Sequence, residues 1–595
     1  MVKGGKMKKI INLRTIIFIL IILILSFRLI YLFGLRKSSH VDETYSVGIA
    51  NSLGLPIFIS PGTDEDGNEY YRNVQAWYDG QAIKDYFVVN EGERFDLAGV
   101  VQNKLWDTAL PNYEILINFV FSFFPGTFSW GYLFAINFVF YVLSLVVIFF
   151  IGKNFFAEPV TGFINGCCCM LFWGLSVCGT GAYTYFRMYG VLSFYSLLMV
   201  LMIAKLIKKD GSKVLLYIGL SLSVFFGLAT HTLFIVFAFW ITFFSCLYLL
   251  MKKRIKDCFI TGGVVLGTLI FLVVIYPFDP AIVSTWMNET NDTGFSFYTN
   301  LTYANIHTFA ESLGFYLPVT VPNIVFVLGV LVFIAIIVFL LKALFRNESW
   351  FKDFEKKALT NLSNVRSFFR NGMEKVGPSF WLILFTAIAY MITTAAISPV
   401  VTQGMFATRY FFMCMNLVII CFVTFWLMIY DGFRKKTKII TGIVILALFS
   451  FLIYSQNYLF GNPFIFNKPY DDEDEFREMV ADSDVMVFAV KPWYLYCLLS
   501  PLRDVDNFYF DCIYMDQLET CSATMPEGDF YVMVDPFYFE GSDVYHIDAS
   551  GNSFTSLDYV NNLVENSGES YDVEYIRDFY SYPEVYSIYY LKKNM

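Results

Sequence analysis

The sequence predicts a polytopic α-helical membrane protein that ends in a small water-exposed α/β domain. Three observations predict it. The 595-residue chain is 57% hydrophobic and 16% charged, against about 45–50% and about 25% in soluble domains. Apolar runs of about 17–25 residues, long enough to cross a bilayer, recur along most of its length. Basic residues gather in alternate short segments between these runs, as cytoplasmic loops do. The composition excludes a soluble enzyme and a disordered chain. The net charge of −9 excludes a nucleic-acid binder, which would be basic.

The first run, 15–35, follows a basic tail (1–14) carrying Lys3, Lys6, Lys8, Lys9 and Arg14. It is too long for most signal peptides and shows no clear small-residue cleavage site, so it reads as an uncleaved first span. Further spans are expected at 127–151, 158–179, 184–207, 214–230, 232–251, 258–277, 321–345, 379–397, 409–430 and 438–457, about eleven in all. The apolar stretch 112–125 reads as a short partial or interfacial helix.

With the N-terminus inside, the cytoplasmic segments contain Lys153, then Lys208, Lys209 and Lys213, then Lys252, Lys253, Arg254 and Lys256. The linker from Lys342 to Lys375 and the cluster Arg434, Lys435, Lys436 and Lys438 follow on the same side. A twelfth span at 112–125 would invert every later loop and break the positive-inside rule. The expected outer pieces are therefore a first loop (36–126), a second loop (278–320) and the C-terminal domain (458–595), around a transmembrane domain over 15–457. They are acidic: residues 36–115 hold about 13 acids against 6 bases, and 462–595 about 26 against 7. That charge by itself is a solvated surface.

Strand-like runs at 485–490, 508–514, 529–534, 573–580 and 586–591 alternate with helix-like stretches near 472–482, 492–500 and 555–566, the pattern of a small α/β domain. It has no Gly-rich phosphate loop. Of the eleven cysteines, Cys167, Cys168 and Cys169 lie inside an apolar run and read as packing residues. The spacing of Cys512 and Cys521 permits a disulfide outside the cytoplasm without requiring one.

Five short segments could carry chemistry. His40-Val-Asp42-Glu43-Thr-Tyr45 follows the first span, and a carboxylate held at the interface can serve as a general base. The same pair could simply cap the next helix. Trp106-Asp107, with Pro111, Tyr113 and Glu114, precedes an apolar segment and could equally be an interfacial anchor. Tyr185-Phe-Arg187-Met-Tyr189 places an arginine near a span end, where it either snorkels or forks onto a phosphate. Thr230-His231 and Thr408-Arg409-Tyr410 fall at outer span ends. His307 lies in the second loop, where a lone histidine is usually incidental. Cations and carboxylates converging on one membrane face point to an anionic lipid head group beside a base.

In order and topology these segments, over roughly 15–430, resemble the membrane glycosyltransferases of the GT-C fold. The likeness is to the family-39-like group, which includes protein O-mannosyltransferases and lipid A aminoarabinose transferases. The resemblance implies transfer of a sugar from a polyprenyl-phosphate carrier to an acceptor outside the cytoplasm, with inversion. It implies Asp42 as catalytic base with Glu43 as its neighbour, and Arg187 on the donor phosphate with Arg409 as helper. Asp107 and Tyr113 match the second outer motif, and Tyr189 and His231 complete the substrate-binding set. Leu110-Pro111 stands where that group has paired prolines, and the histidine often found ahead of them is absent. The expected partners are a lipid-linked sugar donor and an envelope glycan, lipid or protein acceptor, in a plasma membrane of bacterial type. The carboxylates could bind a divalent cation, but nothing in the spacing requires one, and no other cofactor is indicated. Two rival readings are a flippase or transporter of lipid-linked sugar or polymer, which predicts mid-span charges, and a non-enzymatic scaffold.

Overall fold

The computed structural model describes residues 3–55, 57–59, 61–63, 69–71, 73–106, 110–276, 376–397, 408–432, 442, 446–454, 457, 471–489, 492–512, 524–535, 546–547, 553–581 and 584–594. The expected span 321–345, the second loop, the linker 342–375, the cluster 434–438, and Asp107, His307 and Cys521 lie outside the described residues.

In chain order the helices begin with α1 (Lys3–Gly34) and α2 (Val41–Asn51). Three short strands follow, β1 (Pro61–Thr63), β2 (Glu69–Tyr71) and β3 (Trp77–Asp79), then α3 (Gln81–Phe87), α4 (Leu97–Trp106) and α5 (Asn112–Phe121). The long apolar helices are α6 (Trp130–Lys153), α7 (Pro159–Leu175) continuing into α8 (Val177–Thr184), α9 (Tyr189–Lys208), α10 (Lys213–Thr230), α11 (Phe234–Met251), α12 (Ile255–Ile275), α13 (Pro378–Ile397) and α14 (Phe412–Gly432). The C-terminal part contains α15 (Glu473–Val480), β4 (Asp484–Ala489), α16 (Pro492–Leu499), β5 (Asn507–Cys512), β6 (Phe530–Val534), a two-residue pair β7 (His546–Ile547) and β8 (Ser553–Phe554), α17 (Ser556–Ser567), β9 (Tyr571–Ser581) and β10 (Glu584–Lys593).

Among the described residues seven helices are long and apolar enough to cross a membrane, and eight if the bent pair α7–α8 counts as one span. This is an integral membrane protein by that measure. The expected count of eleven is not reproduced. One expected span and part of another (438–457) fall outside the described residues, and α13 contributes only a shorter apolar helix, Pro378–Thr394. The run 158–207 also divides differently. It breaks at Ser176, where the two helices bend by 59°, and again at 185–188, so α9 starts at Tyr189 rather than near 184. α5, at ten residues, is about 15 Å long, half of a bilayer core; it is the short helix the sequence indicated.

The chain packs into two units. A helical unit comprises Met1–Ile30, Asn137–Tyr183 and Met188–Pro463. A mixed unit comprises Tyr31–Ile136, Thr184–Arg187 and Phe464–Met595.

In the helical unit, side chains such as Phe27, Phe259 and Val274 are exposed, as a lipid-facing surface is. Between helices the packing uses small and polar groups, the usual adhesive where solvent and core are equally apolar. Asn165 Nδ2 donates to Gly152 O at 2.8 Å and to Thr424 Oγ1 at 3.0 Å. Trp173 Nε1 donates to Asn416 Oδ1 at 2.9 Å. Cys167 and Cys169 are buried in α7. The basic loops also stitch helix ends: Arg254 donates to the carbonyls of Ile207 and Leu206 at 2.7 and 2.9 Å, where a cation meets the negative end of α9.

The mixed unit is built on a six-stranded sheet, β3-β5-β4-β6-β10-β9. β4 runs parallel to β5 and β6, and β9 and β10 form an antiparallel hairpin at one edge. α17 covers one face with Tyr559, Val560 and Leu563, packed with Phe488, Val532 and Leu591. Thr555 and Asp558 form its capping box, and Gly568 ends it at φ 70°. The opposite edge, β3, comes from the first loop: Trp77 pairs with Tyr509 and Asp79 with Asn507. Two pieces the sequence presents separately thus share one sheet.

α2 is the central helix of this unit and packs against α3, α4, α5 and α16. Asn103 Nδ2 bonds to Ile49 O (3.0 Å) and Ser52 O (2.8 Å), and Asn118 Nδ2 to Ala50 O at 2.9 Å. These satisfy its last carbonyls, which no helical turn can reach. Gly48 lies directly under the ring of Tyr86, which occupies the place of a Cβ. Gly48→Ala is therefore expected to lower the thermal midpoint of the purified protein by overpacking, at a cost of about 1–3 kcal/mol. Gly48→Ala/Tyr86→Ala is expected to recover part of that loss.

Candidate functional site

The first turn of α2 gathers the charged groups. His40 is its N-cap, and its Nδ1 accepts from Asp42 N at 3.0 Å. Glu43, at the third helical position, folds back so that its Oε2 accepts from His40 N at 2.7 Å. This capping box is the local reason that the helix begins here. Glu43 is fully buried. Its carboxylate also pairs with Arg36 and accepts from Phe186 N at 2.7 Å. Burial pushes the Glu43 carboxyl up, opposed by the Arg36 charge and then by the two backbone donors.

Three consecutive residues after α8 then close on the Asp42-Glu43 dipeptide. Tyr185 donates its hydroxyl to Asp42 Oδ2 at 2.5 Å. Phe186 donates its backbone N–H to Glu43. Arg187 donates Nη1 to the Asp42 carbonyl at 2.9 Å and also to Ser46 Oγ. Arg36 joins them, donating Nη1 to Thr184 O at 3.4 Å and lying over the Phe186 ring at 4.2 Å. The Asp42 side chain stays 16% exposed while that of Glu43 is 0% exposed, so only Asp42 can meet an outside molecule.

Behind this turn lies a buried polar relay. Ser46 Oγ donates to Glu114 Oε1 at 3.3 Å, and Lys104 Nζ to the same oxygen at 3.1 Å. Lys104 and Glu114 are both almost completely buried. Tyr113 is fully buried between these groups. Burial, then the nearby Glu43 and Glu114 charges, push its phenol well up, so it stays a neutral hydroxyl.

The expected site residues therefore divide. Asp42, Glu43, Tyr113 and Arg187 come together in the mixed unit. Tyr189, His231 and Arg409 belong to the helical unit, where they form their own cluster. The rings of Tyr189, His231 and Tyr410 lie 6.0–6.1 Å apart pairwise, and Arg409 sits 5.4 Å from the Tyr410 ring centroid. His231 Nδ1 accepts from Leu233 N at 3.0 Å. Asp107 is outside the described residues. Among the described residues no group of three or more His, Cys, Asp or Glu could hold a metal ion.

The sequence does not single out Arg36, Ser46, Lys104, Glu114 in its role as ion-pair partner, or Tyr185 as the donor to Asp42. Lys104 carried a signal, since a lysine within an apolar decapeptide needs a buried partner. Arg36 looked like an ordinary basic flank of a span.

No protein-family model matches the chain, and no curated protein sequence matches it. Among solved structures it is similar to the crystal structure of ArnT from Cupriavidus metallidurans bound to undecaprenyl phosphate. The identity is 9%, the alignment covers 96% of this chain and 97% of that one, and the TM-score is 0.45.

Glu114→Gln takes the carboxylate from beside the buried Lys104 ammonium and is expected to destabilise the protein by about 3 kcal/mol. Glu114→Gln/Lys104→Met is expected to be closer to wild type than Glu114→Gln alone. Thermal unfolding of the solubilised variants checks both.

Proposed function

We propose that the protein is a membrane glycosyltransferase. It moves a sugar from a polyprenyl-phosphate donor to an acceptor outside the cytoplasm, with inversion at the anomeric carbon. The observation that carries this reading is the closure of residues 185–187 on Asp42 and Glu43. It sets a partly exposed carboxylate and a guanidinium on one helical turn. Arg187 Nη1 is held by the Asp42 carbonyl and by Ser46 Oγ, so the cation is fixed next to the residue that carries the base.

The chemistry follows from the residues. The acceptor's nucleophilic atom attacks the anomeric carbon and passes its proton to the Asp42 carboxylate. The carbon–oxygen bond to the lipid phosphate breaks, and the charge growing on that phosphate falls to the Arg187 guanidinium. A phosphate leaving group needs little protonation, so one base suffices. Tyr185 fixes the Asp42 carboxylate by its hydroxyl, and the positive end of α2 favours the anion there. Glu43, enclosed and fully bonded, serves as a positioning residue. Tyr189, His231 and Arg409 are assigned to the substrate, with Asp107, as the resemblance implies. The donor's hydrocarbon tail stays in the bilayer, and the acceptor is an envelope glycan, lipid or protein.

Asp42→Asn keeps an oxygen for Tyr185 and removes the base. Sugar transfer is expected to fall by about 10²–10⁴-fold with expression and membrane insertion unchanged. Arg187→Ala is expected to cripple use of the phosphate-linked donor. Mass spectrometry of cell-envelope glycans and glycoproteins, with and without the protein and its variants, reads both and names the sugar and acceptor. Wild-type transfer by Asp42→Asn would remove the base assignment.

A further inference from the structure

The mixed unit contains a cavity of about 340 Å³ to which the transferase reading assigns no ligand. Arg36, Lys37, Arg477 and Arg503 line it, with Glu473 and Asp474. Residues 462–595 carry about 26 acids and only 7 bases, yet two of those bases, Arg477 and Arg503, stand at this one cavity.

Of the two acids, Glu473 is bonded to neutral groups. Glu473 accepts from Ser39 through both its backbone N–H and its Oγ, the latter at 2.6 Å, and from Ser500 Oγ at 3.0 Å. Burial pushes its carboxyl up. Asp474 pairs with Arg477 at 2.5 Å. Arg503 and Lys37 are less completely answered. Arg503 comes only to 4.0 Å of Asp504, a carboxylate it shares with Arg477 at 3.1 Å. Lys37 stands 3.6 Å from Asp472, with both side chains partly in solvent. Burial, and then the neighbouring Arg477 charge, lower the Arg503 guanidinium. Arg36 is answered by Glu43, which leaves Lys37, Arg477 and Arg503 around a small cavity, and an anion with several acceptor oxygens can bridge them.

Part of the lining is aromatic, and the Arg36 guanidinium lies 5.0 Å from the centre of the Trp130 ring. Phe33 and Trp130 line the cavity and stand at the ends of two candidate spans, Leu13–Gly34 and Trp130–Lys153. A tryptophan at a span terminus marks the head-group level of a bilayer. We propose that this cavity holds the phosphate head group of an anionic membrane lipid, with Arg477 and Arg503 as its principal donors and Lys37 at its mouth. The cavity shares Arg36 with the Glu43 anchor, but its proposed donors are distinct from Arg187, and the proposal stands whether or not the transferase reading does.

The test is binding of phosphatidylglycerol to the full-length protein in detergent, counted by native mass spectrometry. Inorganic phosphate is the second probe. Arg477→Gln/Arg503→Gln is expected to weaken phosphatidylglycerol binding at least about tenfold, as loss of two charged hydrogen bonds implies. Arg477→Lys/Arg503→Lys is expected to keep most of it, and Lys37→Gln to give a smaller loss. Arg187→Gln is expected to bind as wild type does. Unchanged binding in the folded double glutamine variant would overturn the site; if that variant does not fold, unchanged binding in Lys37→Gln would do so. Inorganic phosphate binding as tightly as the lipid would overturn the lipid as its source. Loss of lipid binding in Arg187→Gln would show that the bound lipid belongs to the other site.

Discussion

A buried carboxylate, Glu43, is the constraint on which the rest of the site depends. Its oxygens answer the Arg36 guanidinium, the N–H of His40 and the N–H of Phe186. Each bond joins a different stretch of chain: the exit of the first span, the start of α2 and the link between α8 and α9. An isolated carboxylate here would be costly to bury, and the arginine with two backbone donors makes it tolerable. Because Glu43 is locked, its neighbour Asp42 is presented at a defined place, with Tyr185 and Arg187 beside it.

The C-terminal segment takes part in the same construction. Glu473 holds Ser39, three residues before Asp42, and its own N–H donates to the carbonyl of Lys37 at 2.9 Å. The Tyr496 hydroxyl accepts from Ile59 N at 2.8 Å, and β5 pairs with β3. The acidic domain therefore does more than present a solvated surface: it clamps the segment that carries the candidate base from both sides.

Much of the fold was legible because it rests on local patterns. Apolar runs of about 17–25 residues announce span helices, and alternation with turn residues announced β4, β5, β6, β9 and β10 within a few residues of where they lie. What was not legible depends on contacts distant in sequence. β3 has three residues and no periodicity, and its partner lies some 430 positions away. The break at Ser176 falls inside the expected span 158–179, where no turn signal marks it. The break at 185–188 falls inside the expected span 184–207, because residues 185–187 are bound to Asp42 and Glu43 rather than extended through a helix. At the site, Asp42, Glu43, Tyr113 and Arg187 were recognisable by type and order. The division of labour between Asp42 and Glu43 was not, since adjacent carboxylates look alike until one is buried. Arg28 illustrates the same limit: it lies inside the first span, yet bonds to Gly174 O at 3.0 Å and Asn457 Oδ1 at 2.9 Å, which makes it a packing residue rather than part of a transport path.

The most direct measurement is hydrogen–deuterium exchange in the full-length protein, comparing wild type with Glu43→Ala over peptides covering 38–46 and 184–188. Glu43 as the shared anchor predicts slow exchange at both in wild type and joint acceleration in the variant. Acceleration at 38–46 alone, or at neither, would contradict it.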